Sequence, residues 1–274
     1  MKCFSIYNEK GGTGKTTLTV MFASYLAYEK DARVLVVDLE NPTWRIMAHR
    51  NKDIALLKKS DSALSRWFVE HDLDFSAELF YSIITDGEEI NHYNDRNLQI
   101  LFDRFRNMYL KSGEYDYVLV DFPGGYSDDI PVSMLSASGI LEHVFVPVNL
   151  DEQTLDVAVN FSAQLRDPQV DVPVSFIWNN VRGQDIDDDF RRKGGDKLTR
   201  VERYFSEKNL GPFCPWRIKN FAKAERGADK QYFVRNTVCW PSENADRWCN
   251  DIPRKVSLVK TFEWMKGRLD EDNY

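Results

Sequence analysis

The chain has 274 residues, a formal charge of −7, 43% hydrophobic residues and 29% charged ones. A chain of that length buries roughly three quarters of the surface it exposes when unfolded, so its core needs neither disulfides nor a structural metal. The start Met1-Lys2-Cys3-Phe4-Ser5-Ile6 has no long apolar run, and no stretch is long enough to span a bilayer; the expectation is a cytoplasmic protein without signal peptide or membrane span.

The first predicted element is a strand from Lys2 to Tyr7. A glycine-rich turn, Asn8 to Thr17, and a helix, Leu18 to Tyr28, follow. The turn ends in Gly14-Lys15-Thr16, the phosphate end of a P-loop. Gly11, Gly12 and Gly14 let the backbone N–H groups from Gly11 to Thr17, Thr13 included, close around an anion. The helix that starts there points its positive dipole end at the same place. Lys15 is placed to reach β- and γ-phosphates, and the Thr16 hydroxyl to hold Mg²⁺. The general pattern is G-x-x-x-x-G-K-[ST]; here Glu9 stands at its first glycine, and a second lysine, Lys10, precedes Gly11.

Arg33 to Asp38 reads as a second strand, apolar without interruption as buried parallel strands are. Tyr115–Asp121, His143–Val148 and Val172–Trp178 read as three more. Strands alternating with helices predict an α/β fold of the doubly wound type, a mostly parallel central sheet flanked by helices. The segment between Asp38 and Asp121 reads as helices. Leu64, Trp67 and Phe68 share one face, Leu98, Leu101, Phe102, Phe105 and Tyr109 another, and Asp86-Gly87-Glu88-Glu89 interrupts them. With no repeat and no Pro, Gly or Ser-rich linker, a single domain over 1–274 is predicted, with an atypical helical cover at 43–110. The tail from Ser257 to Asp272 sets Leu258, Phe262, Met265 and Leu269 on one helical face and ends in Asp270-Glu271-Asp272. That acidic end suits a packed terminal helix, not a membrane-surface helix, whose polar face would be basic.

Cys3, Cys214, Cys239 and Cys249 form no C-x-x-C, and His49, His71, His92 and His143 are scattered. They read as reduced, mostly buried thiols without a metal–histidine site. Charge is uneven along the chain. Residues 1–181 carry 16 Lys/Arg against 27 Asp/Glu, whereas 182–235 carry 14 against 9. A basic stretch on an acidic protein marks either an anion-binding face or a solvated surface.

A P-loop needs a second acid for its metal, and Asp121 fits. It ends the apolar run Val118-Leu119-Val120, where a strand's C-terminal end faces the ligand crevice of an open sheet, and Phe122-Pro123-Gly124-Gly125 follows. Asp38-Leu39-Glu40-Asn41-Pro42-Thr43 closes the second strand in the same way.

The run Lys10-Gly11-Gly12-Thr13-Gly14-Lys15-Thr16 resembles the deviant Walker A of the ParA/MinD superfamily of dimeric P-loop ATPases. The segment after Asp121 resembles that superfamily's D-x-P-G switch, and Asp38 to Thr43 is similar to its D-x-D-P-Q switch I. There the first acid lies close to the metal and the second is implicated in holding the attacking water. Asp38 matches the first; Glu40 replaces the second, Asn41 is inserted and Thr43 stands for Gln. The resemblance implies ATP and Mg²⁺ as ligands, Lys10, Lys15, Asp38 and Glu40 as catalytic residues, and Thr16, Asp38 and Asp121 on the metal side. It also implies that Lys10 crosses a two-fold interface to the partner's nucleotide, a charge supplied in trans, so that homodimerisation depends on ATP.

Trp178-Asn179-Asn180-Val181-Arg182 resembles the N-R-V that ends a late strand in relatives, which implies Asn179, or Asn180, on the adenine edge. Phe213-Cys214-Pro215-Trp216-Arg217 resembles the I-P-R segment flanking the base, which implies Pro215 and Arg217 there, with Trp216 or Arg217 stacked on the ring. If the next segment is helical, Lys219, Lys223, Arg226 and Lys230 share one face. ParA-type dimers resemble this in holding DNA non-specifically through phosphates, and Arg191, Arg192, Lys193, Lys197 and Arg200 extend the same surface. The implied function is a slow ATPase of the short ParA type, stimulated by a ParB-like partner protein, that partitions or positions DNA. The alternative is a MinD-like ATPase that recruits a protein partner or positions another cargo.

Overall fold

A computed structural model of the chain describes residues 1–30, 32–38, 80–81, 107, 113–122, 136, 139–166, 170–182, 197–219 and 252–271. The β-branched and aliphatic runs become strands: β1 Lys2–Ile6, β2 Val34–Asp38, β3 Phe80–Tyr81, β4 Tyr117–Asp121, β5 His143–Val148, β6 Val174–Val181 and β7 Phe213–Lys219. They form one sheet in the order β3-β2-β4-β1-β5-β6-β7, and every described pairing is parallel. All residues of β4 and β5 are buried, because helices cover both faces.

Alternation along β1 divides the core. Phe4 and Ile6 face helix α1 (Lys15–Glu29) and the terminal helix α4 (Ile252–Asp270). Cys3 faces the opposite layer, where α2 (Glu152–Leu165) and α3 (Lys197–Glu207) pack. α1 follows β1 directly and buries nearly every side described, through Leu18, Val20, Met21, Phe22, Tyr25 and Leu26. It is sandwiched between the sheet and α4: the Phe262 ring stacks on Phe22 with centroids 5.2 Å apart and tilts on Tyr25 at 5.5 Å. Leu258, Phe262, Met265 and Leu269 are all buried, as their spacing predicts. Each such side chain contributes about 1.5–3 kcal/mol on burial. Tyr117 donates its hydroxyl to Asp270 Oδ1 at 2.9 Å, which ties the end of α4 to β4. No described helix is long and apolar enough to cross a membrane.

Three features depart from the expectations. The helical cover predicted at 43–110 contains a strand, β3, which pairs with Val36 and Val37 of β2; two residues are too few for an alternating pattern to register. β6 continues through Asn179 and Asn180 to Val181, with a register shift beside Asn180, whose φ is +58°. Asparagine tolerates that left-handed conformation better than most residues. The third concerns Arg217, Ile218 and Lys219, which form the end of β7 and not the start of a helix. Ile218 is buried against the α4 layer and Val181 pairs with Lys219, so sheet pairing outweighs any helical pattern there. Lys219 therefore does not continue a helical face towards Lys223.

β1 lies between β4 and β5, while the chain runs next to β2 on the far side of β4. The turn after β1 thus opens where the strand order diverges, at the C-terminal edge of a parallel sheet. Ligand crevices form at such switch points.

Candidate functional site

The loop from Asn8 to Gly14 is fixed at its base. Asn8 is buried, donates its side-chain amide to the Pro147 carbonyl at 3.0 Å, and accepts the Lys10 N–H at 2.9 Å. Gly12 and Gly14 hold φ of +76° and +87°, values that a side chain would strain. A Cβ on Gly12 would meet nothing within 4 Å, so the loop borders open space on that side. Gly14 stands at the N-cap of α1 with no side chain capping the helix, and its carbonyl accepts the Leu18 N–H at 2.9 Å. The N-cap residue itself thus offers the first turn of α1 no side-chain acceptor, the arrangement that suits an anion at a helix start. Lys15, in the first turn, is buried and folds its ammonium onto the Lys10 carbonyl at 3.1 Å. The Thr13 hydroxyl donates to the same carbonyl at 3.3 Å, and Thr17 is half-buried one residue past Thr16.

On the other side of the loop, Thr16 Oγ1 donates to Asp121 Oδ2 at 2.8 Å, and Thr19 Oγ1 to Asp121 Oδ1 at 3.3 Å. Asp121 is only 1% exposed. A hydroxyl and a carboxylate are hard oxygen donors, and a cation that keeps most of its waters, as Mg²⁺ does, fits such a pair. Asp38, opposite Asp121 in the β2–β4 register, is described through its backbone alone. Glu40 and Thr43 lie outside the described residues.

Lys10 folds back onto its own chain. Its ammonium meets the Asp151 carboxylate, and Gln153 Oε1 at 2.9 Å. Asp151 is the N-cap of α2 and accepts both the N–H and the hydroxyl of Thr154, at 3.0 and 2.8 Å. The Lys10 ammonium first, and the Thr154 donors after it, hold the Asp151 carboxyl below the usual range.

The residues expected around a base are spread over β6 and β7. Asn179 donates its side-chain amide to the Thr13 carbonyl at 2.7 Å and so touches the loop itself. Trp178 is buried and donates its indole N–H to Glu202 of α3 at 2.7 Å; the Arg217 guanidinium lies 4.0 Å from the same carboxylate oxygen. Trp216 is exposed and carries the Lys260 ammonium 4.1 Å above its ring. Pro215 is exposed within β7, the outer strand of the sheet, where a proline's missing N–H is tolerated. Lys197 and Arg200 are exposed on α3. Lys223, Arg226, Lys230 and 191–193 lie outside the described residues.

Four residues at the site escape motif reading: Asn8, Thr19, Asp151 and Gln153. Asp151 had a local signal, an N-cap acid three residues before Thr154. Its pairing with Lys10 spans 141 residues and leaves no trace in local sequence.

A family model described as an AAA domain (AAA_31) matches residues 1–166. Among solved structures, the chain is similar to the MinD cell division protein of Aquifex aeolicus, at 16% identity and a TM-score of 0.62 over 97% of this chain and 98% of that one. It is similar to a putative plasmid partition protein of Borrelia burgdorferi B31, solved bound to AMPPNP, at 15% identity and TM-score 0.57 over 97% and 99%. It is also similar to a ParA family ATPase of Chlorobium tepidum TLS, at 16% identity and TM-score 0.57 over 96% and 98%. No curated protein matches it.

Proposed function

The chain belongs to this AAA domain family, within the ParA/MinD superfamily of P-loop ATPases, and from that premise we propose that it is an ATP-binding and ATP-hydrolysing dimeric switch of ParA type. The observation that carries the reading is the joined pair of half-sites: the Lys10-to-Thr16 loop at the start of α1, and Asp121, bonded directly to Thr16. The loop amides and Lys15 bind the phosphates. Thr16 and Asp121 hold the metal side, with Asp38 next to Asp121 in register. A Mg²⁺ held by these oxygen ligands would supply charge neutralisation to the phosphates. Glu40, with the same charge as Asp and one more methylene, orients the attacking water, and hydrolysis is slow until a ParB-like partner stimulates it. Lys10 leaves Asp151 and reaches the nucleotide of a second copy, so the dimer forms with ATP. The ATP dimer retains DNA non-specifically through basic residues, Lys219, Lys223, Arg226 and Lys230 among them, and so partitions or positions it.

The placement of Lys219 at the end of a strand favours a second reading, because it takes Lys219 out of the expected helical basic face. In that reading the ATP dimer recruits a protein partner, as a MinD-like switch would, and carries no DNA. DNA retention measured with ATP, ADP or no nucleotide across a salt series separates them. Retention with ATP alone, falling steeply with salt, supports the first. Absence of retention at low salt with ATP contradicts it.

A further inference from the structure

We propose that Asn179 is a positioning residue for the phosphate loop, acting on phosphate binding itself and not only on the base. The inference rests on the nucleotide-binding reading above. Its ground is the 2.7 Å bond from the Asn179 amide nitrogen to the Thr13 carbonyl, joining residues 166 positions apart. A carbonyl accepts and cannot donate, so the nitrogen end of the amide must face the loop. The contact is close on a second side. A Cβ built on Gly14 would lie 2.5 Å from that nitrogen. Asn179 thus packs against the N-cap of α1, from which Lys15 and Thr16 follow immediately.

The bond enters a small network. Thr13, whose carbonyl it takes, is 4% exposed and donates its hydroxyl to the Lys10 carbonyl, the acceptor that Lys15 also uses. Asn8 anchors the other end of the loop to β5 through Pro147. The loop is therefore clamped by two side-chain amides, one given by the loop to β5 and one given to the loop by β6. The β6 post is stiff. Trp178, next to Asn179, is fully buried, stacks on Phe213 with centroids 5.0 Å apart, and is held by Glu202. Holding Thr13 and Gly14 in place fixes where the loop amides, Lys15 and Thr16 point.

The test uses a ligand that has phosphates and no base. ATP and inorganic tripolyphosphate are titrated into wild type, Asn179→Ala and Asn179→Ser, alongside thermal melts without ligand. Neither truncation reaches the Thr13 carbonyl, and two variants of different polarity guard against a single folding failure. The expected result is a similar loss for both ligands, roughly three- to tenfold for one hydrogen bond, with melting near wild type. Weaker ATP binding with unchanged tripolyphosphate binding would make Asn179 a base reader only and overturn the inference. So would unchanged binding of both ligands, or unfolding of both variants. If wild type binds neither ligand, it is the nucleotide reading that fails.

Discussion

At the scale of single residues, the glycine-rich loop and the start of α1 are the most legible part of the chain. Gly14, Lys15 and Thr16 must be contiguous for a helix N-terminus, an ammonium and a hydroxyl to converge on one anion. Asp121 was legible for a related reason, since an acid closing an apolar strand has the crevice to face. It accepts the Thr16 hydroxyl at 2.8 Å. Side chains that act from afar were not legible in this way. Asp151 and Asn179 reach the loop only because of where β5 and β6 lie in the sheet. His143 is another such case, scattered in sequence but enclosed in structure: its Nε2 lies 2.9 Å from Ser175 Oγ, and its ring lies 4.4 Å from that of Phe145. Burial, and after it the positive Arg268, lower its pKa from 6.5 to about 3. The folded protein keeps the ring neutral where the unfolded chain takes up a proton. This stabilisation is complete above pH 6.5 and is lost as the pH falls from there towards 3, at up to about 1.4 kcal/mol per pH unit. In urea unfolding at stepped pH, His143→Phe should show a flatter acid loss than wild type. Equal slopes would mean that the ring is accessible to protons in the fold.

At the scale of elements, the continuous apolar strands β2, β4 and β5 are legible because burial on both faces leaves no alternation to mistake. The tail helix was legible because Leu258, Phe262, Met265 and Leu269 repeat at helical spacing and are all buried. β7 leaves no strand signature in the sequence, because Pro215 lies within it and basic residues follow at a helical spacing. The start of α2 combines two roles in one residue. Asp151 caps the helix and holds the Lys10 ammonium. Asparagine caps as well as aspartate but carries no charge, so Asp151→Asn separates the roles. Its melting temperature should stay close to wild type, while the ATP concentration needed for dimerisation falls roughly two- to fivefold, as expected for loss of an exposed ion pair. An unchanged ATP requirement would show that the pair does not oppose dimerisation.

At the scale of the whole molecule, the sheet order brings the P-loop, Asp38 and Asp121 to one edge, and only two-fold association gives Lys10 a second nucleotide to reach. The charge distribution suits such a switch, with −7 overall and a basic stretch at 182–235, because an acidic body limits nonspecific binding outside the basic region. Lys10 is the residue on which ATP-dependent dimerisation depends, and the most direct test is the molar mass of wild type and Lys10→Ala in solution with Mg²⁺ and ATP, ADP or no nucleotide. Wild type should double its mass with ATP alone. Lys10→Ala should bind ATP and remain a monomer. A Lys10→Ala protein that dimerises on ATP as wild type does would contradict the account.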